Sequence, residues 1–429
     1  MTDAWPANFL WGASTSAHQV EGGNHNDWSE WEKSHASYLA RTARERLRDQ
    51  SRFIGILPDQ WESLLNEASQ ASNYLSGNAA DHYRRFGEDF DIAKQLGHTA
   101  HRFSIEWSRI EPTAGHINQR EIAHYREVIM ELRQRNIEPL VTLWHWTLPT
   151  WVARQGGFAN KKTIADFNRY VETIVTALGN DVNFWITLNE PMVYAATSYF
   201  QGYWPPQIKN PLTYYRVVNH LIQAHRLAYR TIKDINPAAQ IGIAKNNIAF
   251  QVANRWPDNL LLAYTADWWW NRRFLRAIRR CQDFIGLNNY GRNVINHGYN
   301  KNPHQHTSDM GWELYPSALY ETLQPLRAYG VPIYITEHGL ADADDSRRAW
   351  FIAESLAGVR RALAEGVDVR GYLHWSLLDN FEWDKGFWPR FGLVAIDYAT
   401  QHRTIRSSAE TLSEIMRGAV GSNTRTSVN

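Results

Sequence analysis

Short apolar runs recur along the chain, and longer segments with helical periodicity separate them. The runs are rich in β-branched and aromatic residues without polar alternation, which is typical of strands buried on both faces in a parallel sheet. Eight such runs are present, at Phe9 to Thr15, Ala100 to Trp107, Pro139 to Trp146, Phe184 to Glu190, Ile241 to Lys245, Asp283 to Tyr290, Pro332 to Glu337, and Arg370 to Leu377. The pattern therefore predicts a repeated alternation of strand and helix.

The segment before the third run illustrates the helices between the strands. Asn118 is a candidate N-cap, and apolar residues follow it at helical spacing, namely Ile122, Tyr125, Ile129 and Leu132. Eight strand-plus-helix units predict an α/β fold, a single (β/α)8 TIM barrel with inserted loops. A doubly wound sheet is the alternative, but it requires a glycine-rich phosphate turn after the first strand, and residues 11–15 (WGAST) have no G-x-G-x-x-G spacing.

One domain covers the whole chain, residues 1–429, a length that barrels with inserted loops reach. Residues 36–78 are predicted to be a helical insertion, in which an amphipathic helix follows Pro58 and carries Trp61, Leu64, Leu65 and Ala68 on one side. Residues 418–429 lack apolar periodicity, and we expect them to form a disordered tail.

Charge and composition narrow the classes of partner. The formal net charge is +1, from 45 basic and 44 acidic residues, so no field attracts nucleic acid or an anionic membrane surface. No apolar stretch approaches the roughly 20 residues that span a bilayer. The single cysteine, Cys281, forms no internal disulfide, and the first residues lack a basic segment followed by an apolar core, so we expect a cytoplasmic protein that acts on a neutral substrate.

Two glutamates at the ends of predicted strands carry the candidate chemistry. Glu190 ends the run that begins at Phe184, and Glu337 ends the run that begins at Pro332. Parallel barrel strands bring such residues to one rim, where paired carboxylates suit glycoside hydrolysis. One carboxyl group protonates the leaving oxygen while the other stabilises or attacks the anomeric carbon, and no metal or organic cofactor is needed.

Several phrases in order resemble family 1 of the glycoside hydrolases, the retaining β-glycosidases on a (β/α)8 barrel. They are residues 9–22 (FLWGASTSAHQVEG), 102–110 (RFSIEWSRI), 145–146 (HW), 188–191 (LNEP), 283–288 (DFIGLN), 335–337 (ITE) and 375–383 (WSLLDNFEW). The resemblance extends from Phe9 to about Ser407, and the ordered set is far more specific than any one phrase.

The resemblance implies a role for each residue that matches a family motif. Glu190 is expected to be the general acid/base and Glu337 the nucleophile of a retaining exo-β-glycosidase, with Arg102 and Tyr290 supporting the nucleophile. The substrate-binding residues implied are Gln19, His145, Trp146, Asn189, Asn288, Trp375, Glu382, Trp383 and Phe391. The expected partners are small neutral β-glycosides or oligosaccharides, with glucosides first and galactosides or fucosides second, and neither nucleic acid nor a membrane.

Some positions depart from the family pattern, and other functions compete. His338, where the family usually has Asn, could alter the pH dependence of the neighbouring nucleophile. Trp268, Trp269 and Trp270 are interpreted either as helix core or as a wall for the leaving group.

A 6-phospho-β-glycosidase is one alternative function, against which Glu382 argues because its carboxylate would repel phosphate. A non-catalytic sugar-binding barrel and a thioglucosidase are disfavoured because both glutamates are present, and metal-dependent hydrolysis because no H-E-x-x-H helix occurs.

Overall fold

The computed structural model describes the backbone of residues 5–51 and 58–426, and the side chains of 5–47 and 62–419. Within these residues, eight parallel strands close into a barrel in the order β1-β8-β7-β6-β5-β4-β3-β2. The strands are β1 (Leu10–Ser14), β2 (Ala100–Ser104), β3 (Glu138–Thr142), β4 (Phe184–Asn189), β5 (Gln240–Asn246), β6 (Ile285–Asn288), β7 (Ile333–His338) and β8 (Val369–Trp375). Each coincides with one predicted run, so the predicted TIM barrel is confirmed.

Helices surround the barrel and occupy its loops. The α-helices are Ala17–Val20, Asp27–Arg41, Ala43–Ser51, Pro58–Ala68, His82–Gln95, Trp107–Ile110, Gln119–Gln134, Thr150–Arg154, Lys162–Leu178, Pro191–Ala195, Pro211–Ile235, Pro257–Asp267, Arg273–Ile278, Ser317–Leu326, Arg348–Ala364 and Ser407–Thr426. Two short strand pairs lie outside the barrel, Ala249–Val252 parallel to Arg292–Ile295, and Val394–Asp397 antiparallel to His402–Ile405. No helix among the described residues is long and apolar enough to cross a membrane.

Aromatic side chains fill the lower barrel interior. The rings of Phe184 and Tyr334 are 5.4 Å apart between centroids, and those of Phe284 and Tyr334 are 5.3 Å apart. Because Phe184 lies on β4 and Tyr334 on β7, which are not neighbours, this contact crosses the interior. The floor is therefore a packed apolar layer, and polar side chains are left to the carboxyl ends of the strands.

The segment after β1 contains the predicted insertion. A helix spans Pro58–Ala68, as expected. Residue 36, the predicted start of the insertion, lies within the earlier helix Asp27–Arg41, so the helical segment begins before the predicted boundary. Leu64, Leu65 and Ala68 are buried in a cluster with Trp375 and Phe391. The side chain of Trp61 lies outside the described residues. The insertion thus packs against two residues that the sequence analysis assigns to substrate binding.

The C-terminal segment differs from the prediction. Helix Ser407–Thr426 continues beyond residue 418, where we expect a disordered tail to begin, and Ala419 is buried. Leu412, Met416 and Ala419 all pack into the core at helical spacing, so the apolar pattern of the helix extends into the supposed tail. Residues 427–429 lie outside the described part of the chain.

Gly12 makes a close backbone contact that closes the barrel. It pairs with Ala100 on β2, and a Cβ atom added to Gly12 would lie 1.8 Å from the carbonyl oxygen of Ala100. We expect Gly12→Ala to lower the free energy of unfolding by about 3 kcal/mol or more, because the overlap is with backbone and no rotamer relieves it. Denaturant unfolding measures this change.

Gly418→Ala is the matched control, since Gly418 is exposed on a helix and an added Cβ meets nothing within 4 Å. Alanine there should leave stability unchanged or raise it by up to about 1 kcal/mol. Equal effects of the two substitutions would show that the contact between Gly12 and Ala100 is not close in solution.

Candidate active site

Glu190 and Glu337 lie at the base of a cleft of about 580 Å³ at the carboxyl end of the barrel. Glu337 is the fifth residue of β7, and Glu190 directly follows β4. Both side chains are almost fully buried, with 4% of each residue exposed. Glu190 has a left-handed backbone conformation, with φ of 40°, before Pro191 begins a short helix. The constrained backbone fixes the direction of this carboxyl group.

Glu337 accepts hydrogen bonds from two donors. The guanidinium of Arg102 donates to Oε1, and the hydroxyl of Tyr290 donates to Oε2 at 2.8 Å. Arg102 is fully buried, and it also donates to the side-chain oxygens of Thr142 and Asn189. A buried guanidinium without a carboxylate partner would be unfavourable, so Arg102 and Glu337 compensate each other as an ion pair.

Glu190 has the opposite environment. Its Oε1 accepts hydrogen bonds from the amides of Asn288 at 2.9 Å and Asn246 at 3.2 Å, and it forms no ion pair among the described residues. Burial and, next, the charge of Glu337 raise the pKa of Glu190 to about 8, while the two amides and the charge of Lys245 oppose the shift. At neutral pH Glu190 is therefore mostly protonated, whereas Glu337 forms an ion pair with Arg102, so the two carboxyl groups are suited to different roles.

Asn246 is a site residue that the sequence analysis missed. Its Oδ1 accepts from the indole nitrogen of Trp270 at 3.1 Å, so its amide nitrogen is the group that faces Glu190. Asn246 ends β5, one residue after the predicted run. The rule that polar residues at strand ends meet at one rim would have identified it. Trp270 is thus neither simple helix core nor a wall of the cleft, because it orients a residue that contacts Glu190.

Asn189, Asn288 and His145 form a hydrogen-bonded layer beneath the cleft. Asn189 Oδ1 accepts from Arg102 at 2.8 Å and from Asn288 at 3.2 Å, and Asn189 Nδ2 contacts His145 Nε2 at 2.9 Å. Burial lowers the pKa of His145 well below its ordinary value, so the imidazole is neutral and its Nδ1 carries the proton. That nitrogen has no partner among the described residues. It is a donor available to a ligand in the cleft.

The blind end of the cleft combines a carboxyl group, an amide and indoles. Gln19 Nε2 donates to Glu382 at 3.2 Å, and Asn380 Nδ2 donates to the same carboxyl oxygen at 2.9 Å. Burial raises the pKa of Glu382 to about 8. The rings of Trp146 and Trp383 are 4.8 Å apart and close this end. Polar groups beside flat apolar faces suit a polyhydroxylated ring.

Different chemistry surrounds the open end of the cleft. Arg292 forms a two-bond pair with Glu313, at 2.9 Å for each bond, and its guanidinium lies 3.8 Å from the ring centre of Tyr315. Asn300 and Asn302 line the same region. The sequence analysis identified none of these residues, because they lie on a long loop and on the outer strand Arg292–Ile295, which carries no motif.

The structure brings all the predicted site residues together. Those that line the cleft are Gln19, His145, Trp146, Glu190, Tyr290, Glu337, Trp375, Glu382, Trp383 and Phe391. Arg102, Asn189 and Asn288 lie directly beneath and are hydrogen-bonded to the two glutamates or to each other. Their association in one site was expected from the resemblance, and their individual roles remain hypotheses.

The expected influence of His338 on pH dependence is not supported. Its ring nitrogens contact the carbonyl oxygen of Asn289 at 2.7 Å and the hydroxyl of Ser355 at 2.8 Å, and the ring stacks on Phe351. Burial lowers the pKa of His338 to about 4, so the side chain is uncharged at neutral pH. Because β-strand residues alternate in direction, His338 faces the surrounding helices while Glu337 faces the cleft.

Comparisons with a family model and with known proteins both point to the same family of hydrolases. The model of glycosyl hydrolase family 1 matches residues 55–280 and 271–419. Beta-glucosidase A from Acetivibrio thermocellus is 31% identical over 466 aligned residues, covering 96% of this chain and 98% of that protein.

Two solved structures have the same fold over nearly the whole chain. The β-glycosidase from Pyrococcus horikoshii superposes with a TM-score of 0.84 at 34% identity, covering 98% of this chain and 96% of its own. A β-glucosidase from Thermotoga maritima in complex with glucoimidazole superposes with a TM-score of 0.85 at 27% identity, covering 97% of this chain and all of that one.

The contact between Asn246 and Glu190 predicts a directional pKa change. Asn246→Ala removes a donor that favours the charged carboxylate, so the pKa of Glu190 should rise above its value of about 8. Carbon-13 NMR titration of the glutamate carboxyl groups measures this. Asn293→Ala is the control, since Asn293 lines the cleft but its amide contacts Asn300 instead. A lower pKa in the Asn246 variant would contradict the proposed contact.

Proposed function

The chain belongs to glycosyl hydrolase family 1, and on that premise we propose that Glu190 and Glu337 are its acid/base and nucleophile. The protein is a retaining β-glucosidase-type hydrolase that removes terminal β-glycosyl residues through a covalent glycosyl-enzyme intermediate. The different surroundings of the two buried glutamates are the observation that carries the assignment: Glu337 pairs with Arg102, whereas Glu190 accepts from two amides and has a raised pKa.

The first chemical step uses both carboxyl groups at once. Glu337 Oε2 or Oε1 attacks the anomeric carbon and forms an ester bond, while the bond from that carbon to the leaving oxygen breaks. Glu190 gives its proton to the leaving oxygen, so the aglycone departs as a neutral alcohol. Burial is what keeps this proton on Glu190 at neutral pH.

The second step follows from the loss of charge on Glu337. Once Glu337 is esterified, the neighbouring negative charge that raised the pKa of Glu190 is gone, and Glu190 is now a carboxylate facing water. It takes a proton from water as the water oxygen bonds to the anomeric carbon and the ester bond breaks. The products are a sugar with its original anomeric configuration, free Glu337 carboxylate and reprotonated Glu190.

The remaining polar groups support binding of a neutral glucosyl unit. The unpartnered Nδ1 of His145, the amide of Gln19 and the carboxyl group of Glu382 converge on the blind end of the cleft and can contact ring hydroxyl groups. Trp375 supplies an apolar face. Asn189 accepts a hydrogen bond from Arg102, which also pairs with Glu337, so a sugar hydroxyl group bound by Asn189 is linked to the nucleophile. The hydrogen bond to that hydroxyl group should strengthen as positive charge develops on the sugar in the transition state.

A 6-phospho-β-glycosidase is the second candidate, and Lys385 is the observation that favours it. Lys385 lines the cleft after β8, where a cation could meet a 6-phosphate. Its ammonium is 2.6 Å from the carboxylate of Asp384, however, and Glu382 adds a further carboxyl group nearby. Asp384 neutralises the lysine, so the local charge favours an unmodified sugar.

We also propose a cytoplasmic location and a role in carbohydrate metabolism. The single cysteine, Cys281, supports the location, because disulfide bonds are rare in cytoplasmic proteins.

Glu337→Ala tests the nucleophile assignment. Turnover should fall about 10⁴-fold or more, because no other group can form the ester. Added azide should occupy the vacated space and attack the activated 2,4-dinitrophenyl β-glucoside directly, giving the α-glycosyl azide. Product stereochemistry by NMR is the measurement.

Glu190→Ala is the matched variant, with the opposite expectation. It should form the glycosyl ester from the same activated substrate, stall before hydrolysis, and give the β-glycosyl azide. An exchange of the two anomers between the variants would reverse the assigned roles, and full activity of purified Glu337→Ala without azide would exclude Glu337 as the nucleophile.

A panel of 4-nitrophenyl β-glycosides distinguishes the two candidate functions. We expect the highest kcat/KM for the glucoside, lower values for the galactoside and fucoside, and a value at least about tenfold lower for the 6-phosphoglucoside, since a charged pair must be broken to accommodate phosphate. A preference for the phosphorylated substrate, abolished by Lys385→Ala, would establish the second candidate instead.

A further inference from the structure

A second cavity, of about 530 Å³, lies outside the barrel beside the active site. Helix Pro257–Asp267 and the helical turns that follow it form one wall, and helix Ser317–Leu326 forms another. Ile248 lines both this cavity and the cleft that contains Glu190, and Asn271 fixes the backbone of Ile248 with bonds of 3.0 and 2.9 Å. The two cavities thus share a wall but have different linings.

Three arginines line the second cavity, namely Arg272, Arg276 and Arg279. Their spacing of four and three residues places them on one helical face, whereas Arg273 contacts Tyr215 and Trp269, and Arg280 does not line the cavity. Asp267 pairs with Arg272. Arg276 and Arg279 form no ion pair with a carboxylate among the described residues. Both of these arginines are exposed to solvent, and like charges at this spacing repel.

The carboxylates of the cavity lining do not neutralise these two arginines. Glu321, the second acidic residue of the lining, accepts from the amide of Gln251 at 2.7 and 2.8 Å and from the hydroxyl of Tyr315 at 3.0 Å. Its carboxylate is thus hydrogen-bonded to Gln251 and Tyr315, and it forms no ion pair with an arginine of the lining among the described residues. Tyr329 lines the same cavity, and burial raises the pKa of its hydroxyl while the charges of Arg276 and Arg272 oppose the shift.

A buried polar atom in the same cavity also lacks a partner. Asn247 is 4% exposed, and its Oδ1 has no hydrogen-bond partner among the described residues. Asn247 lines the cavity floor, opposite an apolar surface that includes Pro325 and Leu326. A buried amide group without a partner is unfavourable unless a ligand or water reaches it. The cavity therefore combines two unpaired guanidinium groups, an amide oxygen that can accept from a hydroxyl group or water, and apolar surface.

We propose that this second cavity binds a small organic anion, whose carboxylate or phosphate contacts Arg276 and Arg279 and whose apolar body lies against Pro325 and Leu326. The planar, charged forks of arginine suit both anionic groups. The volume is within the range of small-molecule sites. This site takes a charged ligand, in contrast to the neutral sugar of the active site, so it is independent of the proposed catalytic roles.

Isothermal titration calorimetry on the full-length protein tests the proposal with four probes: benzoate, phenyl phosphate, inorganic phosphate and benzyl alcohol. Wild type should bind benzoate or phenyl phosphate saturably and should not bind benzyl alcohol. If inorganic phosphate also binds saturably, the arginines alone are sufficient for binding, and the apolar body of the ligand is not required. The R276A/R279A variant should bind at least about tenfold more weakly, because charge-assisted hydrogen bonds are lost.

R280A is the matched control, since Arg280 is exposed, follows the same helix and does not line the cavity. It should bind like wild type, which separates a local site from general attraction to basic residues near a helix end. The bound anion should also raise the melting temperature of wild type and R280A but not that of R276A/R279A. Equal binding by R276A/R279A and wild type, or no saturable binding of any of the three anions, would overturn the proposal.

Discussion

Two carboxyl groups buried side by side at the rim of the barrel are the constraint on which the site depends. Burial removes the water that would otherwise solvate each charge, so both groups can be anionic only at a large free-energy cost. Arg102 and Tyr290 compensate the charge of Glu337. Glu190 receives only amide donors, and its pKa rises to about 8. Side chains from other parts of the barrel therefore create the difference between the two carboxyl groups.

The barrel scaffold makes this asymmetry possible because it brings side chains from distant parts of the sequence to one rim. Arg102 from β2 meets Glu337 from β7 across the interior, and Asn189 and Asn288 connect them to Glu190. The aromatic layer below, with Phe184, Phe284 and Tyr334 in contact, excludes water from this network. The low polarity of this layer strengthens each electrostatic interaction in the site.

Residues at the ends of strands could be predicted from the apolar pattern, whereas residues outside the strands could be predicted only where a family motif covers them, as at Gln19 and Glu382. The eight strands follow from runs of apolar residues, and the two glutamates follow from the ends of those runs. Asn246 could have been found in the same way. Arg292 and Glu313 could not, because their pairing depends on how a loop of some twenty residues folds back on itself. The tail was misjudged because one buried alanine, Ala419, is a weak periodic signal.

Two kinds of surface line the cleft in which Glu190 and Glu337 lie. Trp146 contacts Trp383 and Trp204, with ring centres 4.8 and 4.7 Å apart, and Trp28 packs against Trp383 at 4.7 Å. These contacts hold the indoles of Trp146 and Trp383 in place beside the polar side chains of Gln19 and Glu382. Arg292 and Asn302, which are polar and lie on a different part of the chain, line the cleft as well. Fixed aromatic faces beside a few polar groups suit recognition of one sugar ring, whereas the polar residues contributed by the long loop suit leaving groups of varied structure.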